Sequence, residues 1–143
     1  GGNTISFGLY KFKKIYSIEI NKKCFNYLNH NISCYKLNNI KTINNIFVKI
    51  FKLIIQDVIF LDPPWGGPNY KHKEKINLYL DYININNLIN DILNFTDTKA
   101  VVLKAPFNYN YENLKKIINN SNITFLKYTL NKFFIIIIYK KIN

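Results

Sequence analysis

A short apolar run that ends abruptly in prolines and glycines places the strongest constraint on how this chain can fold. Residues 57–61 read Asp-Val-Ile-Phe-Leu, which is typical of a buried β-strand, and residues 62–68 follow as Asp-Pro-Pro-Trp-Gly-Gly-Pro. Each proline fixes its own φ and lacks an N–H donor, so the strand cannot continue past Asp62. The sequence therefore predicts a stiff loop at the carboxyl end of a strand, where open α/β sheets bind ligands.

The residue types in this loop suit recognition of a planar base. The carboxylate of Asp62 and the carbonyl oxygen of Pro63 can accept hydrogen bonds from an exocyclic amine. Trp65 offers a flat ring for stacking, and an indole is the best ring for a cation–π contact with a charged base. Two glycines after it allow close approach of a ligand.

The same residues resemble a known motif. A strand followed by Asp-Pro-Pro-aromatic resembles the motif of S-adenosylmethionine-dependent amino-methyltransferases. The longer string Pro-Pro-Trp-Gly-Gly-Pro-Asn-Tyr is similar to the motif of the trimethylguanosine synthase family, which methylates N2 of the 7-methylguanosine cap of RNA. The resemblance implies that Asp62 and Pro63 are catalytic and that Asp62 also borders the cofactor. It implies that Trp65, Pro64 and Asn108, the last in a matching Pro-x-Asn step, contact the substrate. S-adenosyl-L-methionine is the implied cofactor and 7-methylguanosine-capped RNA the implied partner, with no metal and no membrane.

The first residues are similar to another part of that family. Gly1, Gly2, Asn3 and Thr4 resemble the second half of its glycine-rich cofactor loop, so we expect them to bind cofactor. Asn3 or Thr4 is also predicted to cap a helix that reaches about Phe12. Because the first half of the loop and its strand are missing, the resemblance implies an N-terminally truncated fragment.

Three further polar residues are predicted to hold the cofactor. Glu19 lies near the carboxyl end of a predicted strand, residues 15–20, where an acid can take both ribose hydroxyls of a nucleoside. Asn44 and Asn45 lie in the next predicted strand, residues 40–47, where the family has a Gly-Asp step whose acid holds the adenine amine. An amide oxygen can accept from that amine as well.

Strand and helix patterns alternate along the chain, which predicts an α/β fold. We expect one domain, residues 1–143, with a Rossmann-like class I methyltransferase sheet, a C-terminal antiparallel hairpin and its first strand missing. The remaining predicted helices cover residues 21–36, 48–55, 83–95 and 111–119, and the remaining strands cover residues 98–104, 123–130 and 132–140.

The charge admits two interpretations. A net charge of +12 favours an anionic partner such as nucleic acid, yet the chain is rich in Lys, Asn and Ile, which A/T-rich codons also produce. The basic loop, residues 71–75, is either a phosphate contact or a solvated surface. Cys24 and Cys34 form no metal or redox motif and are predicted to be buried free thiols, so we expect an intracellular protein, nuclear or cytoplasmic.

Two other functions remain open from the residues. Asp62 stands where trimethylguanosine synthases commonly have serine, and aspartate is typical of adenine-N6 methyltransferases. The incomplete glycine loop and the Asn44-Asn45 pair favour an inactive methyltransferase-like module that binds RNA through its basic surface.

Overall fold

The computed structural model describes residues 1–10 and 12–141, which form two compact units, Gly1–Phe51 and Lys52–Asn143. The first unit contains a two-stranded parallel ladder in which Ile15 lies opposite Ile40. Its elements are α1 (Gly2–Leu9), β1 (Ile15–Ile18), α2 (Lys22–Cys34), β2 (Ile40–Ile43) and α3 (Phe47–Ile50), followed by a 3₁₀ turn, Phe51–Leu53.

A polar cap and one small residue shape the first unit. The side chain of Asn21 accepts a hydrogen bond from the backbone N–H of Cys24, so α2 begins where the sequence predicts. Gly8 is buried, and a Cβ there would lie 2.7 Å from Leu37 Cδ1 and 2.9 Å from Ile40 Cδ1. The absence of a side chain at Gly8 therefore allows α1 to pack closely against the chain that enters β2.

The predicted cap of α1 is wrong. Gly1 occupies the N-cap position, and its carbonyl oxygen accepts from the N–H of Ile5, so Asn3 and Thr4 already lie inside the first turn. The hydroxyl of Thr4 instead forms a hydrogen bond of 2.8 Å with the hydroxyl of Ser17 on β1. Thr4 therefore ties α1 to β1.

The second unit is built on a mixed four-stranded sheet with strand order β3-β6-β8-β7. β3 and β6 are parallel, whereas β8 is antiparallel to both β6 and β7, as the predicted C-terminal hairpin requires. Its elements are β3 (Val58–Leu61), a 3₁₀ helix (Pro68–His72), β4 (Tyr79–Leu80), β5 (Ile83–Asn84), α4 (Ile85–Phe95), β6 (Ala100–Ala105), α5 (Tyr111–Ile117), β7 (Ile123–Thr129) and β8 (Phe134–Lys140).

The core of this unit lies between α4, α5 and one face of the sheet. Alternate residues of the two central strands are fully buried, as the two-residue period of a strand requires. Burying each large apolar side chain contributes about 1.5–3 kcal/mol, so this layer dominates the stability of the unit. The buried set is Ile85, Leu88, Ile89 and Ile92 of α4, Leu114 of α5, Val101, Leu103 and Ala105 of β6, and Ile136 and Ile138 of β8.

Three further expectations differ from the structure. Strands β1, β2 and β3 are shorter than predicted, because their polar flanks leave the ladders. The β4–β5 hairpin was not predicted, since its turn residues Asp81 and Tyr82 adopt φ of 49° and 69° without the glycine that usually signals such a turn. Cys24 and Cys34 are free but exposed, because α2 buries only Leu28.

Candidate active site

The proline-rich loop begins beside the end of a second strand. Leu61 is paired with Leu103 in the parallel ladder of β3 and β6, so the next residues of the two strands, Asp62 and Lys104, are neighbours. Lys104 Nζ lies 2.9 Å from Asp62 Oδ2, and the two side chains are only 25% and 28% exposed. The predicted catalytic carboxylate is therefore held by an ion pair that is partly shielded from water.

Lys104 is a site residue that the sequence analysis missed. Its ammonium lies 5.7 Å from the centroid of the Trp65 ring and 5.0 Å from that of Phe133. These separations are within the range of cation–π attraction. Lys104 therefore joins the carboxylate of Asp62 to the aromatic ring that was predicted to stack on the substrate.

The ring of Trp65 is fixed on one side and carries an unused donor. Tyr70 packs edge-on against it with the ring centroids 5.3 Å apart. Within the described residues, the buried Nε1–H of Trp65 has no hydrogen-bond partner. An unsatisfied buried donor costs about 1–3 kcal/mol, which suits a position where a ligand supplies the acceptor.

The backbone after Trp65 needs its two glycines. Gly66 and Gly67 have φ of 92° and 77°, and a Cβ at either position would meet nothing within 4 Å. The requirement is therefore conformational, because side chains disfavour this left-handed region. Pro63 is buried in the loop and Pro64 is exposed.

Asn108 positions the segment that follows the loop. It lies just beyond β6, and its Nδ2 donates to the carbonyl oxygens of Tyr70 and Lys73 at 2.7 and 2.8 Å. The backbone oxygen of Asn108 also accepts from the N–H of Ile76 at 2.8 Å. Asn108 thus lies at the same end of the sheet as Asp62 and Trp65, where it anchors the 3₁₀ helix and the basic loop, residues 71–75, whose side chains are exposed.

In the first unit, Glu19 lies directly after β1, one residue beyond the strand in which it was predicted. Its Oε1 accepts from the backbone N–H of Asn21 at 2.8 Å, so the carboxylate sits at the start of α2, where the helix dipole favours a negative charge. Among the described residues, its other oxygen has no partner. Glu19 is therefore oriented by one oxygen and can accept hydroxyl donors with the other.

The two asparagines after β2 both bind backbone. Asn44 Nδ2 donates to the carbonyl oxygens of Glu19 and Ile20 at 2.7 and 3.1 Å, and Asn45 Oδ1 accepts from the N–H of Ile46 at 2.7 Å. Asn44 therefore fixes the segment that carries Glu19. Because its NH₂ group is already hydrogen-bonded, only the amide oxygen of Asn44 could serve the predicted role of accepting from the adenine amine.

The glycine pair at the start of the chain forms the amino end of α1. Both glycines are exposed, and a Cβ on Gly1 would lie 2.6 Å from Leu28 Cδ1, whereas one on Gly2 would meet nothing within 4 Å. A side chain at position 1 would therefore clash with Leu28, which is a packing requirement for glycine in addition to the predicted role in cofactor binding. In residues 1–10 and 12–141, no helix is long and apolar enough to cross a bilayer, and no three metal-binding side chains gather.

Comparison with solved structures supports the fold. A Streptococcus mutans protein that is classed as a methyltransferase from its sequence, solved in complex with SAH, matches 99% of this chain and 83% of its own with a TM-score of 0.60 and 14% sequence identity. At that identity the likeness concerns the fold alone. It agrees with the predicted Rossmann-like α/β architecture.

Comparison with sequences identifies the family. An uncharacterised protein of Acanthamoeba polyphaga mimivirus is 34% identical over 136 residues, which are 93% of this chain and 50% of that protein. The trimethylguanosine synthase of Schizosaccharomyces pombe is 32% identical over 80 residues, 51% of this chain and 33% of the enzyme. The chain thus spans half or less of the length of these relatives. The family model described as RNA cap guanine-N2 methyltransferase matches residues 1–139, and the chain therefore belongs to that methyltransferase family.

Proposed function

We propose that this chain catalyses transfer of a methyl group from S-adenosylmethionine to the N2 amine of a 7-methylguanosine cap on RNA. The observation that carries the proposal is the loop at the carboxyl end of β3, where Asp62 is held by Lys104 and Trp65 keeps a buried, unsatisfied indole N–H. Membership of the RNA cap guanine-N2 methyltransferase family and the partial match to a trimethylguanosine synthase support it.

The residues of the first unit fit the cofactor. Glu19 offers a carboxylate oxygen for ribose hydroxyls, Asn44 offers an amide oxygen for an adenine amine, and Gly1 and Gly2 leave the backbone at the start of α1 open. These donors and acceptors suit the ribose and the adenine of a nucleoside. When bound, S-adenosylmethionine supplies an electrophilic methyl group, so the protein mainly has to orient the base and exclude water.

In the second unit, Asp62 and Pro63 would orient the amine. The carboxylate of Asp62 and the carbonyl oxygen of Pro63 accept from the NH₂ group, which turns the nitrogen toward tetrahedral geometry and takes its lone pair out of conjugation with the ring. Both oxygens then stabilise the positive charge that develops on nitrogen. Lys104 holds the carboxylate in one orientation, and the proton leaves only after the amine has become cationic.

Trp65 would select the methylated base. A guanine methylated at N7 is cationic, and stacking of such a base on indole combines stacking with cation–π attraction. Lys104 lies 5.7 Å from the same ring, so a cationic base would approach a ring that already attracts an ammonium. Mutual repulsion would drive Lys104 toward Asp62 as the base binds.

A second candidate is an adenine-N6 methyltransferase. Asp62 favours it, because a carboxylate rather than a serine hydroxyl precedes the two prolines. Its pairing with Lys104 partly offsets the negative charge of the carboxylate, so Asp62 is compatible with a guanine substrate as well.

The test is methyl transfer from labelled S-adenosylmethionine by the full-length protein. Three RNAs are compared: one with a 7-methylguanosine cap, the same RNA with an unmethylated guanosine cap, and a different RNA that is uncapped and adenine-rich. We expect label on the first alone. Label on the adenine-rich RNA would support the second candidate, and RNA binding without any transfer would indicate an inactive binding module.

A further inference from the structure

A group of lysines and aromatic rings lies near β7, the edge strand at the opposite end of the strand order from β3. Lys127 Nζ of β7 is 4.6 Å from the centroid of the Phe134 ring and 5.0 Å from that of Tyr111. Lys115 Nζ lies 5.1 Å from the Tyr111 ring, and the Phe107 and Phe134 rings meet edge-on at 5.1 Å. We call Phe107, Tyr111, Lys115, Lys127 and Phe134 the edge cluster.

One step along the chain joins the edge cluster to the residues around Lys104. Phe134 directly follows Phe133, and Lys104 contacts both Phe133 and Trp65. Ala105 is paired with Phe134, so the neighbouring Lys104 and the ring of Phe134 lie on opposite faces of the sheet. The path from Lys104 to the edge cluster therefore runs around the carboxyl end of β6, where β8 begins, along the backbone of Phe133 and Phe134.

The edge cluster is available to an anionic ligand. Among the described residues, no carboxylate lies within ion-pair distance of Lys127, whereas Lys115 shares its charge with Glu112 at 3.0 Å. Lys127 is exposed, and Phe107, which follows the end of β6 nearest the candidate active site, is half-exposed. An ammonium group without a carboxylate partner beside an accessible ring is a combination that binds single-stranded nucleic acid, through phosphates and stacked bases respectively.

We propose that the edge cluster binds the RNA strand that continues from the nucleotide to be methylated. Lys127 contacts phosphates, with Lys115 as a second and weaker contact, and Phe107 stacks on a base. The proposal rests on the proposed function, since it takes the RNA at Trp65 as its starting point.

The test compares two ligands of the full-length protein, 7-methylguanosine triphosphate and a capped RNA of about ten nucleotides. Each neutralised phosphate of a single strand contributes about 0.7 to the slope of log affinity against log salt. Lys127→Gln should therefore reduce the slope for the capped RNA by about 0.7 and weaken its binding about eightfold at 0.05 M salt and about fourfold at 0.15 M. Binding of 7-methylguanosine triphosphate should not change.

The matched control is Lys52→Gln. Lys52 lies 4.8 Å from the ring of Phe95, a pair of the same geometry at the opposite end of the strands. It should leave both affinities unchanged, and Phe107→Leu should weaken the capped RNA alone. Equal effects of Lys127→Gln and Lys52→Gln, or an unchanged slope in Lys127→Gln, would overturn the proposal. If no cap is methylated but the dependence on Lys127 persists, the proposed function fails while the edge cluster stands as an RNA-binding surface.

Discussion

The ion pair between Asp62 and Lys104 should stabilise the second unit more than a similar pair at the other end of the same strands. Asp57 and Lys99 are also 42 residues apart, and their Nζ–Oδ1 distance of 2.7 Å is shorter than the 2.9 Å of Lys104 and Asp62. Distance alone would make the Asp57 pair the stronger one. Its side chains, however, are 75% and 76% exposed, against 28% and 25% for Asp62 and Lys104.

Burial decides the magnitude. Exposed ion pairs are worth about 0–1 kcal/mol, whereas removing one partner of a fully buried pair costs about 3–5 kcal/mol. With about a quarter of each side chain exposed, the coupling between Asp62 and Lys104 should be about 1–2 kcal/mol. The Asp57 pair, which is open to water and salt, should show no coupling above experimental error.

The assay is a pair of double-mutant cycles on urea unfolding of the full-length protein. One cycle uses Asp62→Asn and Lys104→Met, and the other uses Asp57→Asn and Lys99→Met. Each cycle subtracts whatever else the single substitutions disturb. Equal coupling in the two cycles, or a larger value for the Asp57 pair, would refute the argument that burial rather than distance sets the strength.

Three other substitutions test separate parts of the structure. Gly8→Ala should lower the free energy of unfolding by about 1 kcal/mol, because overpacking costs about 1–3 kcal/mol and the gain in helix propensity is about 1 kcal/mol. Gly2→Ala is the control, since its new side chain meets no neighbour and should not lower the free energy of unfolding. A Gly8→Ala variant that is more stable than the parent would contradict the packing. Trp65→Leu should weaken binding of 7-methylguanosine triphosphate about 10- to 100-fold and abolish preference over the unmethylated nucleotide, measured by titration; retained preference would remove Trp65 from the base site. Burial raises the pKa of Tyr109, whose hydroxyl donates a hydrogen bond to Asn86. Above about pH 10 only the unfolded chain loses this proton, so the free energy of unfolding should fall by up to about 1.4 kcal/mol per pH unit. Tyr109→Phe should flatten that pH dependence in urea unfolding, and an equally steep fall in the variant would assign the dependence to another group.

Local signals were sufficient to predict much of the fold. Asn21 precedes an amphipathic run and caps α2, and the apolar residues before the proline pair form β3. The final apolar run pairs as β8, with Ile136 and Ile138 fully buried. In each case the residues that decide the structure are adjacent or one helical turn apart.

Long-range pairing could not be predicted in the same way. Lys104 lies in an apolar strand pattern and gains its role only because β6 runs parallel to β3 in a register that places it beside Asp62. Once that register is known, the residue after Leu103 must neighbour the residue after Leu61. The hairpin at Asp81 and Tyr82 was missed for another reason, since its positive φ values occur without glycine.

The roles of the predicted site residues were only partly visible from residue type. Asn108 was expected to contact substrate, but its amide is used to hold the carbonyl oxygens of Tyr70 and Lys73. The NH₂ group of Asn44 similarly donates to the backbone carbonyl oxygen of Glu19. Short polar side chains satisfy backbone groups readily, so their partners depend on loop geometry that the sequence does not specify.

The central claim is that the chain directs methyl transfer to N2 of a cap guanine. The most direct measurement is to incubate the full-length protein with S-adenosylmethionine and 7-methylguanosine-capped RNA, digest the RNA to nucleosides, and identify the methylated one by mass spectrometry. The account predicts a new methyl group on the exocyclic amine of the 7-methylguanosine. A methyl group on the N6 amine of adenosine, with the cap unchanged, would contradict it.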